Sequence, residues 1–65
     1  MEPTEAQYLI INALETLELL IWRLYDNEKG FWYIRTLSQV LPTAVVIQNG
    51  EVVPLEFVQD KNRTE

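Results

Sequence analysis

Apolar residues recur at steps of three and four from residue 4 to residue 29, TEAQYLIINALETLELLIWRLYDNEK, with no glycine or proline in the run. At about 100° per residue, Ala6, Leu9, Ile10, Ala13, Leu14, Leu17, Leu20, Ile21, Leu24 and Tyr25 share one broad stripe. A narrower second stripe holds Tyr8, Ile11, Leu19 and Trp22, with Glu15 and Glu18 on its flanks. The spacing predicts one long helix over 4–29. Thr4-Glu5-Ala6-Gln7 fits a capping box, in which hydroxyl and amide side chains satisfy each other's backbone N–H groups. Glu5 suits the positive end of the helix dipole and Lys29 the negative end. Gly30 can adopt the left-handed conformation that stops a helix.

After Gly30 the pattern changes. Residues 31–37, FWYIRTL, are rich in aromatic and β-branched side chains and read as a strand. A short second helix over 31–40 is the rival, because Phe31, Ile34, Leu37 and Leu41 also fit helical spacing. Residues 38–42 form a connection ending at Pro42. Residues 43–48 and 51–58 are two further β-rich runs joined by Asn49-Gly50, the strongest short-range hairpin signal, here read as a type I′ turn. That turn pairs Gln48 with Glu51, Ile47 with Val52, Val46 with Val53 and Val45 with Pro54. Pro54 then sits at a non-hydrogen-bonded position with its nitrogen facing outward, so its strand must be an edge and the 43–48 strand central. A strand at 31–37 completes a three-stranded meander.

The expected fold is therefore α+β: a long N-terminal helix packed on a small antiparallel meander or hairpin, in a single domain over 1–58, with the polar run 59–65, QDKNRTE, as a tail. Both hairpin faces are apolar, whereas a sheet with one wet face alternates apolar and polar residues. Ala44, Val46, Val53, Leu55 and Phe57 fall on one face; Val45, Ile47, Val52, Pro54 and Val58 fall on the other. One helix covers one face. A helix of about 24 residues would measure about 36 Å and would overhang strands of about 20–26 Å.

Composition sharpens the question of what covers the excess. The chain has 65 residues and is 48% hydrophobic, and domains this small bury only about 60% of their unfolded surface. Disulfides, a metal or oligomerisation commonly supply the deficit. With no Cys and no His, disulfides are excluded and a transition metal lacks its usual ligands. Self-association remains, with a homodimer as its simplest form. Tyr8, Ile11, Leu14, Leu17, Leu19, Ile21, Trp22 and Tyr25 are its candidate interface residues, and Ile21 and Trp22 the expected anchors.

The same absences remove the commonest general base and the strongest nucleophile. Ser38 is the sole serine and has no base placed beside it, and two glycines cannot build a phosphate loop. No cofactor is implied, and the chain reads as a non-enzymatic module that binds itself and a protein partner. The net charge of −5 disfavours nucleic acid, although Trp22, Trp32 and Tyr33 are of the type that stacks on bases. Acidity motivates the alternative: an inhibitor that mimics nucleic-acid phosphates to block a basic enzyme, using an acidic patch of Glu5, Glu15, Glu18, Asp26 and Glu28. Glu15 and Glu18, three apart, could also act as a carboxylate pair; the plainer reading is a solvated patch beside an interface. Asn12, Glu15, Glu18 and Arg23 inside the apolar run argue against a membrane span. Met1-Glu2-Pro3 lacks the basic start of a signal peptide, so the expected setting is cytoplasmic, where the Asn62-Arg63-Thr64 sequon is without consequence.

Overall fold

The computed structural model describes residues 1–59. It is an α+β fold: α1 (Glu5–Thr16), then β1 (Leu20–Asp26), β2 (Phe31–Thr36), β3 (Thr43–Val46) and β4 (Val52–Pro54), then a short α2 (Leu55–Gln59). The strands form one antiparallel sheet in the order β1-β2-β3-β4, a four-stranded meander. Residues 60–65 of the expected tail lie outside the described residues, and Gln59 closes α2.

The helix begins as its sequence requires. Thr4 Oγ1 accepts from the Gln7 N–H at 3.2 Å, and Gln7 Oε1 accepts from the Thr4 N–H at 2.8 Å, completing the capping box. It ends far earlier than expected, after 12 residues and about 18 Å. Leu17 caps it, and Glu18 takes a left-handed conformation with φ 61°. The Glu18 N–H donates to the Glu15 carbonyl and the Leu19 N–H to the Leu14 carbonyl, the bond pair of a Schellman stop. The stop residue is a glutamate rather than the usual glycine. The second half of the expected helix is β1, and Gly30 ends no helix: with φ 75° it closes a four-residue hairpin loop, its N–H donating to the Asp26 carbonyl. Asp26 Oδ1 accepts from the N–H groups of Glu28 and Lys29 within that loop.

The strand reading of 31–37 holds and the rival short helix does not. In the 37–42 connection, Ser38 Oγ accepts from the Val40 and Leu41 N–H groups, which gives the sole serine a turn-building role. The β3–β4 hairpin lies where Asn49-Gly50 placed it, but the turn is not type I′. Gly50 has φ 92° while Asn49 is not in the left-handed region. The Gly50 N–H donates to the Ile47 carbonyl, and the Ile47 N–H donates to the Glu51 carbonyl. This is a three-residue loop whose last residue is left-handed, and it slips the register by one: Val46 faces Val52, Val45 faces Val53 and Ala44 faces Pro54. A one-residue slip exchanges the faces of β4, so Val52 and Pro54 share a face with Ala44 and Val46. Pro54 remains at a non-hydrogen-bonded position, β4 remains an edge and β3 is central. The β-run stops at Pro54, and 55–59 turn helical, with Glu56 favourable in the first turn.

Gly50→Val should cost about 1–2 kcal/mol or more, because a β-branched side chain resists positive φ and its Cβ would lie 3.0 Å from Ala6 Cβ. A fall in melting temperature checks it, and an unchanged value would contradict the left-handed turn.

The core lies between α1 and one face of the sheet. Ile11, Trp32, Ile34, Ala44 and Val46 are buried there, with Ile10, Leu14, Leu20 and Tyr25 packed around them. Trp32 is wedged edge-on between Tyr8 and Tyr25, with centroids 5.4 and 5.5 Å away. The opposite face holds Val45, which is fully buried; α2 packs against β3 and β4 there.

The hydroxyl of Tyr25 is shielded and has no hydrogen-bond partner among the described residues. Desolvation pushes its pKa up, helped by Tyr8, Asp26 and Glu2. A phenol with a raised folded pKa stabilises below the unfolded value of about 10, and that contribution is lost as pH rises beyond it. Tyr25→Phe should therefore melt at the same temperature as the wild type or higher at neutral pH, with its advantage growing above pH ~10. Melting curves across that range would contradict the burial of the hydroxyl if the variant were the less stable protein.

Candidate interaction surface

Alternation along β1 and β2 sorts their side chains between the two faces. Arg23, Tyr25, Trp32 and Ile34 face α1; Trp22, Leu24, Asp26, Phe31, Tyr33 and Arg35 face away. The full burial of Val45 on that far side assigns α2, which contacts β3 and β4, to cover that half, while side chains of the β1–β2 half are exposed. Ile21, Trp22 and Leu24 are 59%, 47% and 55% exposed. Phe31 and Tyr33 stand beside them half-buried, edge to face at 6.4 Å. Ile21, Trp22 and Arg35 line an open hollow. The register irregularity between Leu20 and Trp22 makes Ile21 a bulge and turns it out of the ladder.

This surface is continuous with the edge of β1. That strand has seven residues, and among the described residues nothing pairs with its outer side. It carries no proline or lysine, the residues that commonly guard an exposed edge. Its one cation, Arg23, turns toward α1 and forms an ion pair with Glu15. Both side chains are nearly half exposed, so the pair contributes about 0–1 kcal/mol.

The eight interface residues expected from helical stripes are dispersed. Ile11 belongs to the core of this chain, and Leu14 and Tyr25 pack around that core. Leu19 is half-buried and lines an apolar cleft of about 150 Å³ with Leu14, Ile34 and Leu41. Tyr8 and Leu17 are exposed on the helix. Only Ile21 and Trp22 lie together in the open patch, on a strand rather than a helix. Leu24, Phe31 and Tyr33 are the members that sequence reading missed. The signal for Leu24 was the alternation Trp22, Leu24, Asp26, hidden because the same leucine also fits a helical stripe.

The acidic candidates do not converge. Glu15 and Glu18 stand at the C-terminal end of α1, and Glu5 is in its first turn, about 15 Å along the axis. Asp26 and Glu28 belong to the β1–β2 loop, where one oxygen of Asp26 serves the loop's own N–H groups. Among the described residues no three acidic side chains come close enough to hold a metal ion, and no helix is long and apolar enough to cross a membrane. Comparison with protein families, with characterised proteins and with solved structures gives no match.

Proposed function

We propose that this protein is a non-enzymatic interaction module that acts as a homo-oligomer, most simply a dimer, and that engages a further protein partner in the cytoplasm. The observation that carries this reading is the side-by-side exposure of Ile21, Trp22 and Leu24 on β1, an edge strand among the described residues. Scattered exposed apolar residues need no explanation; a contiguous patch with two aromatics beside it marks a contact surface. The small core supports the same reading, since burying this patch supplies stability that a 65-residue chain is short of. Charge mimicry has weaker support, because its five carboxylates face different directions and Glu15 is paired.

Light scattering coupled to size exclusion, run from micromolar to millimolar chain, tests the oligomer. The expected mass is a multiple of the 7.7 kDa chain. A folded monomer across that range would overturn self-association.

A further inference from the structure

We propose that the partner copy docks by edge-to-edge addition, β1 against β1, antiparallel about a two-fold axis at Leu24, making one eight-stranded sheet. This rests on the self-association proposed above and specifies its geometry. Of the two sheet edges, β4 is three residues long and contains Pro54, which cannot donate. The β1 edge is longer, apolar and unguarded. Pairing β1 with its own copy consumes both open edges and leaves only the two β4 edges outside, so assembly closes at two chains instead of growing into a fibre.

Backbone alternation sets the register. The Leu37 N–H donates to the Leu19 carbonyl, which makes the neighbouring Leu20–Thr36 pair non-hydrogen-bonded. Past the bulge, Trp22, Leu24 and Asp26 direct their N–H and C=O groups at β2, while Arg23 and Tyr25 direct theirs outward. A two-fold axis at Leu24 joins Arg23 to the partner's Tyr25, and Tyr25 to the partner's Arg23, satisfying the four outward groups of Arg23 and Tyr25. Leu24 then stands opposite the partner's Leu24. Centring on Arg23 sets guanidinium against guanidinium, and like charges directly opposite destabilise. Centring on Tyr25 runs the pairing past the strand into the hairpin loop at Asn27.

Charge favours the same register. Arg35 is the cross-strand neighbour of Trp22 and has no ion-pair partner among the described residues. On the other side of Trp22 the Leu24-centred pairing places the partner's Asp26. Each indole is flanked by a cation of its own chain and a carboxylate of the partner, twice by symmetry, across about 10 Å of backbone that the long Arg35 side chain narrows.

Cysteine cross-linking tests this, because the chain has no cysteine. In the Leu24-centred dimer Leu24→Cys meets itself at about 4.5–5.5 Å between Cβ atoms, close to what a disulfide accepts. Trp22→Cys stands about 13 Å from its copy and cannot bridge. The expected result is a dimeric wild type, rapid disulfide formation by Leu24→Cys under mild oxidation, and little by Trp22→Cys. A dimeric wild type in which Trp22→Cys bridges as fast as Leu24→Cys overturns the edge pairing and leaves self-association standing; a monomeric wild type overturns both. A synthetic chain methylated on the Tyr25 amide nitrogen gives a second readout free of side-chain changes. Two outward hydrogen bonds are lost per dimer, so dimerisation should weaken by about tenfold or more with monomer helicity unchanged. Unchanged dimerisation would overturn the proposal.

Discussion

Gln7→Ala is expected to cost about 3–5 kcal/mol and to lower the melting temperature by about 15 °C or more. Gln7 is fully buried, and every polar atom of its side chain is used. Its Nε2 donates to the Gly30 carbonyl at 2.9 Å and to the Val46 carbonyl at 2.7 Å, while Oε1 accepts from the Thr4 N–H. One side chain thus ties the start of α1 to the β1–β2 loop and to the end of β3. Around it Thr4 Oγ1 donates to the Gln48 carbonyl and Gln48 Nε2 donates to the Lys29 carbonyl. Truncation strands two buried acceptors and a donor at once, each costing about 1–3 kcal/mol. Gln7→Met separates the causes: it keeps the volume and restores no hydrogen bond, so a cost close to that of alanine assigns the loss to the polar groups. Gln7→Glu aims a carboxylate at two carbonyl oxygens, which raises its folded pKa; this variant should be least stable at neutral pH and recover as pH falls. Thermal melts of the three variants at two pH values check it. A Gln7→Ala protein as stable as the wild type would mean the clamp is absent in solution.

The residues that form this clamp also show how far the fold was legible. Thr4 and Gln7 announce a helix start through a local rule that involves four residues, and the structure obeys it. Pro54 announces an edge strand because the missing donor has only one tolerable place in a sheet, and that inference survives even a shift of register. The end of α1 was illegible because the stop depends on Glu18 adopting a conformation that most residues avoid. Leu20, Ile21, Leu24 and Tyr25 continue a helical stripe while also reading as a strand, and apolar runs of this length do not decide between the two. The register of β3 and β4 was missed because Asn-Gly serves both a two-residue turn and a three-residue loop, and only the φ of Asn49 tells them apart. The candidate surface inherits the first of these: Ile21 and Trp22 lie on a strand where a helix was expected, and Leu24, Phe31 and Tyr33 become neighbours only because β1 exists.

Trp32→Ala is expected to cost about 3–5 kcal/mol, enough to unfold most of a domain whose total stability is about 3–10 kcal/mol. Trp32 sits on β2, pairs with Tyr25 on one side and Val46 on the other, and lies under α1. Its loss opens a cavity on the sheet face that holds α1, removes two edge-to-face contacts and frees Tyr8 and Tyr25 from the surfaces they pack on. Trp22 has the same chemistry and a different fate. It is nearly half exposed on the open side of β1, so Trp22→Ala should cost the isolated chain about 1 kcal/mol or less and act chiefly on association. The chain has two tryptophans, so each variant makes the other the only indole reporter. In Trp22→Ala, the emission of Trp32 should stay blue-shifted and quencher-resistant until the chain melts. In Trp32→Ala, the emission of Trp22 should be that of a solvated indole in a largely unfolded chain, without a cooperative transition. Denaturant titrations followed by fluorescence and circular dichroism separate these outcomes. If Trp22→Ala were the more damaging of the two, the assignment of core to the α1 face and contact surface to the opposite face would have to be reversed.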